Sequence, residues 1–136
     1  MQKKILLIDD DIDELKIFTD AIKELPGEFT CEFVTDPQEA LILLQNFLPD
    51  YIFVDFNIPK VNGLEFLSAV KKSKSLREIP VFLYSTSISN EISRMAELLG
   101  AAGSIEKTYS IAMLASELKV LLTDGARPNY VMLNGK

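Results

Sequence analysis

Five short strand-like runs, most of them apolar, each followed by a longer amphipathic stretch, limit the fold of this chain more than any other feature. The runs lie at residues 4–8, 29–34, 51–54, 80–84 and 102–105. Residues 11–25, 36–47, 64–72, 89–99 and 111–122 carry apolar side chains at roughly helical spacing. In the first of these stretches the apolar residues at that spacing are Ile12, Leu15, Ile17, Phe18, Ile22 and Leu25. Pro26-Gly27, Pro49-Asp50 and Gly100 break the segments, and Asp36-Pro37 reads as an N-cap followed by proline at the first helical position. Five strand–helix units in a row predict a parallel sheet with helices on both faces and right-handed crossovers. The run at 29–34 sets Phe29, Cys31 and Phe33 against Thr30 and Glu32, the half-buried alternation of an edge strand.

A chain of 136 residues favours one domain, large enough for a core without disulfides. We expect that domain to span residues 1–123. Residues 124–136, with glycine, proline and no helical period, are expected to be a tail. Tyr130, Val131, Met132 and Leu133 are apolar enough to dock on the domain. The formal net charge is -6, and no basic run is present. This argues against nucleic acid and against anionic membranes as partners. The apolar run behind Lys3 and Lys4 is too short for a signal peptide or a transmembrane helix, so the expected location is the cytoplasm. The one cysteine, Cys31, forms no intrachain disulfide, and its expected role is a small hydrophobe in the core. There is no histidine. That removes zinc–histidine sites, serine–histidine–aspartate triads and histidine bases.

Ligand sites of open α/β sheets form at the carboxyl ends of the strands. The first run ends on Asp9, Asp10 and Asp11, the third on Asp55 with Asn57 beyond, the fourth on Ser85, and the fifth near Lys107. If the first and third strands are neighbours, Asp9, Asp10 and Asp55 converge. Carboxylates sharing a pocket repel, and a divalent cation relieves them. An all-oxygen donor set favours Mg2+ over softer metals. Asp10, Asp55 and the backbone carbonyl of Asn57 are the expected metal ligands, with Asp9 acting through water. Asp55 is a candidate nucleophile, since carboxylates form acyl phosphates. Lys107 would face phosphoryl oxygens and Ser85 would supply a hydroxyl. Positioning and charge stabilisation are what phosphoryl transfer chiefly needs. Taken singly, each residue has a plainer role: Asp11 as a helix N-terminal acid, Asp55 as a turn residue, Ser85 as a cap, Lys107 as a solvated cation. Their joint occurrence at four strand ends favours the chemical reading.

These segments together resemble the receiver domain of response regulators, in its chemotaxis-type single-domain form. ILLIDDD (5–11) is similar to that family's acidic first-strand signature. YIFVDFNIPKVNGLEFL (51–67) resembles its phosphoacceptor segment, with Asp55 as acceptor. IPVFLYSTS (79–87) places Ser85 at its hydroxyl position, and GAAGSIEK (100–107) places Lys107 at its lysine. The likeness covers residues 3 to about 122. It implies a doubly wound, flavodoxin-like α/β fold with sheet order 2-1-3-4-5 and five helices. It also implies Mg2+-dependent phosphorylation of Asp55 by a histidine kinase or histidine phosphotransfer protein, and self-catalysed dephosphorylation. A donor histidine on another protein accords with the absence of histidine here. Two positions depart from the pattern. Thr108 stands where the family usually has proline, often after a cis bond; before a non-proline residue such a bond costs about 2.5–4 kcal/mol. Ser104 stands where an aromatic residue usually swings inward on activation.

The expected mechanism is a switch. A phosphoryl group on Asp55 adds a charge of about −1.5 to −2 and draws Lys107 and Ser85 inward. The face made by the fourth helix, fifth strand and fifth helix then changes its affinity for a downstream protein. Three rival readings are open to test. A flavin or nucleotide domain of the same architecture would need a phosphate-cradling loop after the first strand, where this chain has DDDIDE; a bound flavin would be yellow. A magnesium phosphohydrolase would need a general acid and a cap, and would turn over small phosphate esters. A degenerate receiver would only scaffold partners.

Overall fold

The computed structural model describes residues 2–56, 62–122 and 130–133. The elements, in chain order, are β1 (Gln2–Ile8), α1 (Ile12–Ile22), β2 (Glu28–Val34), α2 (Pro37–Leu43), β3 (Tyr51–Val54) and α3 (Gly63–Lys72). They continue as β4 (Val81–Ser85), α4 (Asn90–Leu98), β5 (Gly103–Glu106), α5 (Ile111–Leu122) and β6 (Val131–Leu133). The sheet order is β2-β1-β3-β4-β5-β6, with parallel pairing throughout. The expected order 2-1-3-4-5 forms its core. The sixth strand was expected as part of a tail; residues 123–129 and 134–136 lie outside the described residues.

Alternation along the buried strands divides the core in two. Leu6 and Ile8 of β1, Ile52 and Val54 of β3, and Val81 and Leu83 of β4 pack with α2, α3 and α4. Ile5 and Leu7, Phe53, and Phe82 and Tyr84 point the other way, onto α1 and α5. A strand buried on both faces cannot alternate apolar with polar, which is why the central runs read as uninterrupted apolar sequence. Rings anchor the second core: Phe18 of α1 meets Phe53 edge-on at 5.1 Å, and Phe53 stacks on Phe82 at 4.9 Å. Each such fully buried side chain contributes about 1.5–3 kcal/mol.

Local chemistry sets the helix ends. Asp11 caps α1 by accepting from the Asp13 N–H at 3.0 Å, and Asp36 caps α2 through the Gln38 N–H at 3.0 Å. In α1 the inward stripe is Glu14, Phe18, Ala21 and Ile22, with Leu25 just beyond it. Ile12, one of the apolar residues at helical spacing, is 62% exposed. Six residues before Phe18 is well round the helix, whereas Glu14, four before, lies on the same face. An acid therefore occupies a place in the apolar stripe.

Candidate functional site

Strand register gathers the site. Ile8 pairs with Val54, so the next residues on β1 and β3, Asp9 and Asp55, emerge side by side at the sheet's carboxyl edge. The Asp55 N–H donates to the Ile8 carbonyl at 3.0 Å and fixes that relation. Ser85 closes β4, and the Lys107 N–H donates to its carbonyl at 2.8 Å, which hangs the end of β5 on β4. Behind Asp55, the Cα of Gly63 presses on the chain. A Cβ there would lie 2.8 Å from the Asp55 carbonyl oxygen and 2.9 Å from the Phe56 Cα, so only glycine fits.

Asp55 is held at both oxygens. The Ser85 hydroxyl donates to Oδ1 at 2.8 Å, and the Lys107 ammonium reaches Oδ2 at 3.0 Å. The same ammonium lies 2.6 Å from Asp9 Oδ2 and 4.0 Å from Glu14 Oε1. Asp9 Oδ1 accepts from the Asp11 N–H at 3.0 Å. Lys107 also sits 5.5 Å from the centre of the Tyr84 ring, whose hydroxyl donates to Glu14 Oε2 at 3.3 Å. A cavity of about 160 Å³ opens beside the lysine, lined by Glu14, Thr86, Lys107, Thr108 and Tyr109.

Burial pushes the Asp9 carboxyl up to about 6, against the opposing pull of Lys107 and the Asp11 amide. Burial works against the Lys107 ammonium, yet its bonds to Asp9 and Asp55 outweigh that and hold its pKa above the ordinary lysine value. The Tyr84 hydroxyl is pushed up as well, by burial first and then by Glu14.

Carboxylate oxygens of Asp9, Asp10 and Asp55 lie within 4.8 Å of one another, with Asp10 exposed and the other two buried. Unit charges 4 Å apart repel by about 4 kcal/mol at an effective dielectric of about 20. One ammonium shared by Asp9 and Asp55 leaves the cluster acidic. A hard dication fits that donor set, with Asp10 as its solvent-facing member. Asn57, whose carbonyl was expected to complete the set, lies outside the described residues.

Sequence reasoning missed Glu14 and the Tyr84 hydroxyl that holds it. The signal was present: an acid four residues before Phe18 on one helical stripe. The two departures have structural answers. No cis peptide bond occurs among the described residues, so Lys107–Thr108 is trans. The Thr108 hydroxyl accepts from the Ser110 N–H at 3.1 Å, and Ser110 Oγ accepts from the Met113 N–H at 3.1 Å, leading the chain into α5. Ser104 is fully buried.

A doubly wound parallel sheet with an acidic cluster and a buried lysine at its carboxyl edge defines a class: flavodoxin-like α/β domains. Within that class, the chain belongs to the response regulator receiver domain family, whose model matches residues 5–119, and so to two-component signal transduction. The chain is 34% identical over 111 residues to protein-glutamate methylesterase/protein-glutamine glutaminase 1 of Burkholderia pseudomallei, covering 79% of this chain and 30% of that one. The chain spans 12% to 63% of the length of curated relatives it matches. The crystal structure of the phosphorylated cyanobacterial phytochrome response regulator RcpA superposes with a TM-score of 0.82 at 26% identity, covering 95% of this chain and all of that one. The chemotaxis response regulator CheY4 of Vibrio cholerae gives 0.79 at 26% identity, covering 90% of this chain and all of that one.

Proposed function

We propose that this receiver takes a phosphoryl group onto Asp55 from a phosphohistidine of a histidine kinase or histidine phosphotransfer protein, in a Mg2+-dependent reaction, and thereby changes its affinity for a downstream protein. The observation that carries the reading is the division of one buried carboxylate between a hydroxyl and an ammonium, at 2.8 and 3.0 Å, inside an acidic oxygen cluster. An Asp55 oxygen attacks phosphorus, the new O–P bond forms, the P–N bond breaks, and the bonding pair leaves with the donor imidazole. Lys107 and Ser85 are placed to follow the charge from the carboxylate onto the phosphoryl oxygens. A magnesium ion held by Asp10, Asp55 and the Asn57 carbonyl, with Asp9 through water, would supply further charge neutralisation for the phosphoryl group. Hydrolysis reverses the change: water attacks phosphorus, the O–P bond breaks, and the carboxylate returns as phosphate leaves. Autocatalysis of both steps is the enzymatic content of the domain.

Intact mass after incubation with a small phosphodonor and magnesium tests this. The expected result is one phosphoryl adduct, lost in Asp55→Asn and lost with a chelator. No adduct from any donor, on folded protein, would overturn the reading and leave a scaffold.

A further inference from the structure

The outer edge of β5 is built to receive a strand, and residues 130–133 of the same chain occupy it. Gly103 pairs with Val131, Ser104 with Met132 and Ile105 with Leu133, and the Val131 N–H donates to the Ala102 carbonyl at 3.2 Å. A Cβ at Gly103 would collide with the Val131 carbonyl oxygen, so this approach needs glycine. The docked strand straddles the sheet edge. Val131 and Leu133 pack into the core under α1 and α5, while Tyr130 packs into the core under α2, α3 and α4. There the Tyr130 hydroxyl lies 3.0 Å from Ser93 Oγ of α4, which is 3.5 Å from Ser104 Oγ of β5. Ser93 and Ser104 are both buried. The segment thus has two anchors on different bodies: the edge of β5 by its backbone, and α4 by its hydroxyl.

We propose that residues 130–133 are a built-in strand ligand of the β5 edge, and that their docking is linked to the state of Asp55. This rests on the phosphoacceptor reading above. The last pairing of β6, at Ile105, is two residues from Lys107. Beyond it, β5 hangs from β4 through the Lys107 N–H to Ser85 bond, and the Glu106 carboxylate accepts from the Ile88 N–H at 3.1 Å. Lys107 and Ser85 already touch Asp55, at 3.0 and 2.8 Å. A phosphoryl group carries the new charge beyond the carboxylate, so both must re-seat to follow it. The end of β5, which carries Lys107 and hangs from Ser85, then shifts away from the strand on its outer edge. Tyr130, fixed to α4, keeps β6 from following without losing an anchor. Phosphorylation therefore loosens docking, and by reciprocity loss of docking favours the phosphorylated form.

Hydrogen exchange on the full chain, with and without fluoroberyllate and magnesium as the phosphoryl mimic, tests the link. Protection at residues 130–133 is expected in the free protein and is expected to fall when the mimic is bound. In Tyr130→Ala, and in Gly103→Val where it folds, fluoroberyllate is expected to bind about fivefold more tightly, read from its bound 19F signal. Tyr130→Ala removes a side chain from the rim of the core, so it keeps the test open should Gly103→Val fail to fold. Mimic binding with unchanged protection, or with unchanged affinity in Tyr130→Ala, overturns the link and leaves the phosphoacceptor reading standing. No binding of the mimic to folded wild-type protein overturns both.

Discussion

At the scale of single residues, the site is a contest between burial and charge. Asp9 and Asp55 are nearly inaccessible, and Lys107 is the cation both share. Ser85 adds a neutral donor on Asp55, with its geometry set by a strand end. Ser85→Ala deprives a buried carboxylate oxygen of that donor and is expected to destabilise the protein by about 1–3 kcal/mol, read from urea melts. A second carboxyl outside the pocket gives a pH signature. Glu117 of α5 is raised to about 7, by burial first and then by the Glu106 charge, and its Oε1 has no hydrogen-bond partner among the described residues. A carboxyl raised in the folded state adds stability that is complete below its unfolded value of 4.5 and is lost as pH rises through about 7. Glu117→Gln should therefore raise the Tm at pH 8 and leave it nearly unchanged at pH 4. The acids of the site were legible as residues, because charge directly after an apolar run is costly unless something uses it. Glu14 escaped notice because its burial depends on which side of α1 faces the sheet.

At the scale of elements, the helices and strands were readable because periodicity, caps and breakers agree with one another. Asp36-Pro37 marks the start of α2, and Pro26-Gly27 separates α1 from β2. Ile12 shows the limit: helical spacing tolerates several facings, and the stripe chosen is the one that brings Phe18 onto Phe53. Phe18→Ala should cost about 3–5 kcal/mol of stability, because the ring leaves a cavity between two aromatic neighbours. Gly63 is likewise an element-scale constraint, since it sets how closely α3 approaches the end of β3. Gly63→Ala is expected to move the Asp55 backbone and to slow adduct formation by mass spectrometry more than it lowers the Tm.

For the whole molecule, a cation held by the cluster would couple its binding to folding. A ligand that binds only the folded state stabilises it by mass action, by about 2.7 kcal/mol at a hundred times its Kd. Magnesium is therefore expected to raise the Tm. Asp10 is exposed, so Asp10→Asn should abolish that rise with little effect on the Tm measured in chelator. An equal magnesium effect in both proteins would show that the cation acts elsewhere. Among the described residues, no helix is long and apolar enough to cross a membrane.

The alternation of strand and helix, the helix caps and the acids, hydroxyl and lysine at strand ends were determined by sequence, because each depends on neighbours a few residues away. The tertiary structure alone decided that Asp9 and Asp55 flank one lysine, since that depends on the register of β1 with β3. It alone buried Glu14 against Tyr84, since that depends on the rotation of α1. It alone turned residues 131–133 into a sixth strand. Three residues carry too little pattern to announce a strand, and the edge that receives them exists only once Gly103 and β5 are in place.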